Sequence, residues 1–154
     1  MSSLVRSFGN QVRTINSFSF PVESESALID LSMATKLKYL IFRVESRRVD
    51  WTNVALRTIT PEHQDLRQIT IYLPYDSTLS GAGANVRRAT GEQLFGQWLE
   101  FDHLLVQLWE SRWIRPRILY YAPPGTEKDI SESVGCLLPD ATKRGIIDLA
   151  EWVL

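Results

Sequence analysis

The hydrophobic pattern is clearest at residues 35–42, TKLKYLIF, where Leu37, Leu40 and Phe42 stand out from Lys36, Lys38 and Tyr39. The same spacing returns at Leu66, Ile69 and Ile71, with fainter echoes at Ile15, Phe18 and Phe20, at Ile118 and Tyr120, and at Ile147 and Leu149. Alternation of this kind predicts strands over Ile15–Phe20, Leu37–Val44, Leu66–Leu73, Arg117–Tyr121 and Ile146–Ala150. Between them the period lengthens to that of a helix. Trp51, Val54, Ala55, Thr58 and Ile59 predict a helix over 51–59, with Asp50 as its cap. Val86, Ala89, Leu94, Trp98, Leu99, Leu105, Leu108 and Trp109 predict a long helix to about residue 112, kinked or divided at Gly91 and Gly96. Ile130, Val134, Leu137 and Leu138 predict a third helix, opened by Thr126 with Asp129 and stopped by Pro139. Leu4, Val5 and Phe8 suggest one helical turn, and Ser24–Ser32 a short irregular or helical turn.

Strand and helix therefore alternate, which argues for an α/β fold with a parallel sheet. The L-x-x-L-x-L rhythm is that of a leucine-rich repeat. Anchored on Phe18, Leu40, Ile69, Ile118 and Ile147, the intervals are 22, 29, 49 and 29 residues. The expected architecture is a short leucine-rich-repeat-like horseshoe, one domain over 1–154, with a parallel sheet, outer helices and an inserted loop and long helix at about 76–112. The alternative is a doubly wound α/β sheet, which requires the strand order to reverse. In the horseshoe, residues between core positions face the concave side. This places Tyr39, Arg43, Gln68, Tyr72, Arg117 and Tyr121 in a strip rich in Tyr and Arg, both favoured at binding hot spots. Ser17, Ser19, Ile41, Thr70, Leu119, Ile146 and Asp148 share it.

The runs Asp30–Leu37 (DLSMATKL) and Ile59–Arg67 (ITPEHQDLR) resemble the repeat regions of fungal F-box/leucine-rich-repeat-like proteins, as do Gly96–Glu100 (GQWLE), Leu108–Ser111 (LWES) and Ile114–Pro116. The resemblance covers most of 25–150. It implies partner binding, and in the family the F-box recruits a ubiquitin-ligase scaffold. Only about a dozen residues precede the first expected strand, too few for an F-box, so ligase recruitment is not expected here. The chain ends at Trp152-Val153-Leu154 directly after a strand, which predicts an uncapped edge, self-association through it, or a truncated array.

Composition narrows the picture. With 154 residues, 44% hydrophobic and 23% charged, the chain can bury one substantial core and lacks the bias of disordered segments. A net charge of −1 supplies no global field for nucleic acid or an anionic membrane, although Arg112, Arg115 and Arg117 cluster locally. One cysteine, Cys136, excludes an internal disulfide and a Cys-based metal cluster. No secretory leader and no apolar run long enough for a bilayer are visible. The expected setting is intracellular, cytoplasm and nucleus not being distinguished, without a membrane role.

Candidate chemistry is sparse. Glu100 and His103 stand three apart, as ligands of di-iron bundles do, but no second pair exists, and with Gln107 and Glu110 they read as a solvated helix face. Ser80-Gly81-Ala82-Gly83-Ala84-Asn85, followed by Arg87 and Arg88, lies between a strand and a helix, where amides attract phosphate. It lacks the Gly-Lys-Ser/Thr of a P-loop and the third glycine of the dinucleotide fingerprint. His63 near Asp65, with Ser77 or Ser80, has no nucleophile elbow and reads as a surface histidine. Cys136 reads as a small buried apolar residue. The five tryptophans read chiefly as core. The expected function is a non-enzymatic module binding a protein partner through the strand face, with no cofactor and no metal. The alternative is a small phosphate-ligand or nucleotide binder or enzyme using the Gly-rich loop 80–88.

Overall fold

The computed structural model describes residues 5–7, 9, 11–16, 28–43, 49–73, 91–112, 114–120, 125 and 127–151. The strands are β1 (Val5–Ser7), β2 (Thr14–Asn16), β3 (Leu28–Asp30), β4 (Tyr39–Arg43), β5 (Gln68–Leu73), β6 (Arg117–Tyr120) and β7 (Asp148–Glu151). The helices are α1 (Val49–Arg57), α2 (Glu92–Arg112), α3 (Glu127–Leu137) and α4 (Pro139–Lys143). Five strands form one parallel sheet in the order β2-β4-β5-β6-β7, and β1 pairs in parallel with β3 apart from it.

Two stretches of chain are built alike. Leu31, Ala34, Leu37, Leu40 and Phe42 are all buried, and so, 29 residues on, are His63, Leu66, Ile69 and Ile71. Apolar residues recur every third position through the turn and every second through the strand. The turns share their backbone bonds. Ala34 N–H donates to Leu31 C=O and Leu37 N–H to Ala34 C=O, as His63 does to Thr60 and Leu66 to His63. Asp30 Oδ1 accepts the Ser32 N–H at 2.9 Å and starts the first turn. The side-chain and backbone donors of Ser32 hold that carboxyl below its ordinary value. The turns also stack: Arg13 C=O accepts Lys38 and Tyr39 N–H, and Lys38 C=O accepts Arg67 and Gln68 N–H.

Register sets the core. Ile15, Leu40 and Ile69 are aligned across three strands, and Phe42, Ile71 and Ile118 across the next three. All six are buried, at 3% exposure or less. Trp98, Phe101 and Leu105 of α2 belong to the same core, with the Trp98 and Phe101 rings edge to face at 5.7 Å. α1 packs on α2, and α2 on α3 and α4.

The structure corrects the horseshoe. The parallel strands form an uncurled, open sheet flanked by helices, nearer the doubly wound alternative than a horseshoe, although the order of the described strands follows the chain and does not reverse. The leucine-rich-repeat and F-box-like reading falls with it. The physical reason is unequal steps. A curved array needs each repeat to add the same small rotation. Among the described residues, a helix of nine residues lies between β4 and β5, one of 21 between β5 and β6, and two helices between β6 and β7. Among the described residues the full turn occurs at 31–37 and 60–66, its closing bond also at Gly9–Val12, and after the last of these α2 follows.

Smaller differences have local causes. Val5–Ser7 and Leu28–Asp30, expected as helical or irregular, are strands because they pair with each other. Such distant pairing leaves no local periodicity. α2 runs unbroken through Gly96, whose position is open on the outside of the helix. Gly91, with φ +82°, precedes the helix instead of dividing it. α3 stops at Leu137, as expected ahead of Pro139, since Leu138 before the proline is non-helical at φ −125° and ψ 62°. Pro139 is also the first residue of α4, where its fixed φ is compatible and its missing N–H is not needed. Ile146, placed on the outward strip, is buried at 3%. The anchor Phe18, the residues Ser17 and Ser19 and the expected cap Thr126 lie outside the described residues.

Candidate functional site

The sheet has two edges, and the parallel arrangement distinguishes them chemically. Every strand of the main sheet presents its carboxyl end to one side. At that edge Arg43 is the register partner of Tyr72, and Leu73 that of Tyr120. β5 is the middle strand of the five. Its carboxyl end leads through 74–91 into the first turn of α2. The Gly-rich loop 80–88 falls on that connection and lies outside the described residues.

Five of the six residues expected to meet a partner share one face by register. Tyr39 aligns with Gln68, Arg43 with Tyr72, and Arg117 with Thr70, which in turn aligns with Ile41. This is the face opposite Leu40, Ile69 and Ile118. Tyr39 is 42% exposed, Arg43 and Arg117 are exposed, and Gln68 and Tyr72 are half-buried. The Gln68 amide donates to Thr70 Oγ1 at 3.3 Å. Asp148 is the register partner of Arg117. Tyr121 lies outside the described residues.

A groove of about 620 Å³ opens at the other, amino edge. Its apolar lining comes from Leu56, Ile59 and Leu66 on one side and Leu104 and Leu108 of α2 on the other. Arg57, Gln64, Gln107 and Ser111 supply polar groups. Arg57 is ion-paired with Glu100. The Glu100–His103–Gln107–Glu110 stripe is spent on such local contacts. Gln107 donates to His103 Nε2 at 3.0 Å, and Glu110 pairs with Arg144.

His63 is a correction. It is not on the surface but fully buried. Nε2–H donates to Leu31 C=O at 2.7 Å, while Nδ1 accepts the Thr60 N–H at 3.0 Å. The acceptor role of Nδ1 sets the Nε2–H tautomer. The ring thus joins the second turn to the first. Only the 29-residue correspondence with buried Ala34 signals this in the sequence.

Asp102 carries the other buried charge-bearing group and attracted no attention in the sequence. At 2% exposure it accepts the N–H groups of Asp140 and Ala141, each at 2.9 Å. It caps the start of α4 from another helix. Burial raises its carboxyl above the ordinary value, the amide bonds from Ala141 and Asp140 pull it back, the Asp140 charge raises it, and His103 lowers it; the balance is upward.

Among the described residues no group of three His, Cys, Asp or Glu gathers to hold a metal ion. Cys136 is half-buried on α3. Ser77 and Ser80 lie outside the described residues. No helix among the described residues is long and apolar enough to cross a membrane. No protein-family model, curated protein or solved structure matches this chain.

Proposed function

We propose that the chain binds a small phosphate-bearing ligand, of the nucleotide kind, at the carboxyl edge of its parallel sheet. The supporting observation is the position of β5. It is the central strand, and its carboxyl end runs into the Gly-rich segment and on to the 21-residue helix α2. Open α/β sheets bind ligands outside the carboxyl ends of their strands, most often where strand order reverses; here the order follows the chain, and the support is the central strand's connection alone. Helix starts and glycine-rich backbone favour phosphate oxygens. Arg87 and Arg88 supply positive charge in the same segment. Arg43 and Tyr72 stand near that edge on neighbouring strands.

Thermal denaturation with ATP, GTP, NAD, FMN and inorganic phosphate tests this. A ligand at one hundred times its Kd stabilises by about 2.7 kcal/mol, which raises Tm by about 5–10 °C for a chain of this size. Arg87→Ala removes the shift. No shift across the whole panel ends the proposal.

A second reading is favoured by the strip of Tyr39, Arg43, Gln68, Tyr72 and Arg117 on one face of the sheet. That face suits a protein partner, since Tyr and Arg dominate binding hot spots. Replacing Tyr72, Arg117 and Tyr121 together by Ala then abolishes capture of a partner while circular dichroism is unchanged. Undiminished capture by the triple variant excludes this face.

A further inference from the structure

We propose that the groove at the amino edge docks a short, uncharged apolar turn from a protein partner. The occupant is indicated by the molecule's own packing one turn earlier. There the turn at 31–38 is covered by the turn at 58–67. Thr58 Oγ1 accepts the Leu31 N–H at 2.8 Å, His63 donates to Leu31 C=O at 2.7 Å, and Lys38 C=O accepts from Arg67 and Gln68.

The second turn repeats the positions of the first at 29-residue spacing, so it offers a similar face onward. Among the described residues, the chain that follows builds no third turn there. Eight residues, 31–38, connect β3 to β4, and ten, 58–67, connect α1 to β5. Only four, 113–116, connect α2 to β6. The stacking bonds that run from Arg13 C=O to Lys38 C=O stop at the next rung: no described residue donates to Arg67 C=O. The C-terminal half of α2 stands where a third turn would, and a groove of about 620 Å³ remains between Ile59 and Leu66 on one side and Leu104 and Leu108 on the other. That size is within the range of ligand sites, about 300–1,000 Å³.

The chemistry narrows the occupant. The one charged lining residue, Arg57, is already paired with Glu100, so the groove asks for no charge. Aliphatic side chains meet aliphatic side chains, with Gln64 at the margin; Gln107 and Ser111 are already bonded to His103 and to the Gln107 carbonyl. A turn with aliphatic residues several positions apart, like Ile59 and Leu66 themselves, fits this description. An anionic amphiphile or a phosphate does not. The site is independent of the carboxyl edge and of the function proposed there.

The probe is a cyclised peptide copying residues 58–66 of this chain with Gln in place of Glu62 and Asn in place of Asp65, so that it carries no charged carboxylate or guanidinium, titrated into the full chain by calorimetry. The expected result is saturable binding that weakens about tenfold or more with Leu108→Glu, a change at the centre of the contact. Ser111→Trp, at an exposed position, blocks the groove from its margin and gives the same loss without disturbing the core. A control peptide with Ser at the positions of Ile59 and Leu66 does not bind. The proposal is overturned by binding that both variants leave unchanged, by no binding at millimolar peptide, or by preferential binding of dodecanoate. A concentration-dependent dimer abolished by Ser111→Trp also overturns it, because the occupant is then a second copy.

Discussion

At the scale of single residues, the two titratable side chains buried among the described residues act as connectors. His63 satisfies a carbonyl of one turn and an amide of its own. His63→Ala removes both bonds and empties a fully buried site, while Leu31 C=O keeps the Ala34 N–H. A loss of about 1–3 kcal/mol in denaturant unfolding is expected. Asp102 has a pH signature. Its carboxyl sits above the ordinary 3.8 in the folded chain, so between those two values the folded state binds more protons than the unfolded one. Stability at this site is therefore greatest in acid and falls as pH rises through the raised value. Asp102→Asn removes this titration. The stability difference, wild type minus variant, is expected to grow as pH drops from neutrality towards 4; a difference that shrinks contradicts the assignment. Neither role was legible in the sequence. A histidine between Pro61 and Asp65 looks exposed until the turn before it is folded against it.

At the scale of elements, α2 is the long helix that the apolar spacing predicts, but its glycines behave oppositely. Gly96 lies inside the helix with open space at the position of a Cβ. Gly96→Ala is expected to stabilise by about 0.5–1 kcal/mol, because alanine loses less backbone entropy. Gly91 stands before the helix at φ +82°, where an L side chain is strained. Gly91→Ala is expected to cost about 1–2 kcal/mol. Paired thermal melts separate the two. α4 illustrates what helical periodicity cannot reveal. Five residues starting with proline have too little sequence for a pattern, and the helix is held at its start by Asp102 of α2.

At the scale of the whole molecule, one core joins sheet and helices. Leu40 and Ile69 are fully buried register partners on β4 and β5. Either one replaced by Ala is expected to cost about 2–5 kcal/mol. Because they touch the same space, the double variant is expected to depart from additivity by about 0.5–3 kcal/mol. Additive costs in urea unfolding contradict the shared core. The sheet also organises function. Its carboxyl edge carries the proposed phosphate-ligand site, and its amino edge the groove where the repeated turn stops.

The sequence by itself determined the central strands, α1, α2 and α3, and the inward alternation of Leu40, Phe42, Ile69, Ile71 and Ile118, because period and burial are local properties of a chain. It also marked the 29-residue recurrence and the outward set Tyr39, Arg43, Gln68, Tyr72 and Arg117. Only the tertiary structure decided that β1 pairs with β3, that the sheet does not curl into a horseshoe, that His63 and Asp102 are interior, and that a groove opens beside α2. These depend on which distant segments meet. Unequal connections between similar strands alter that packing without altering the local pattern of any one of them.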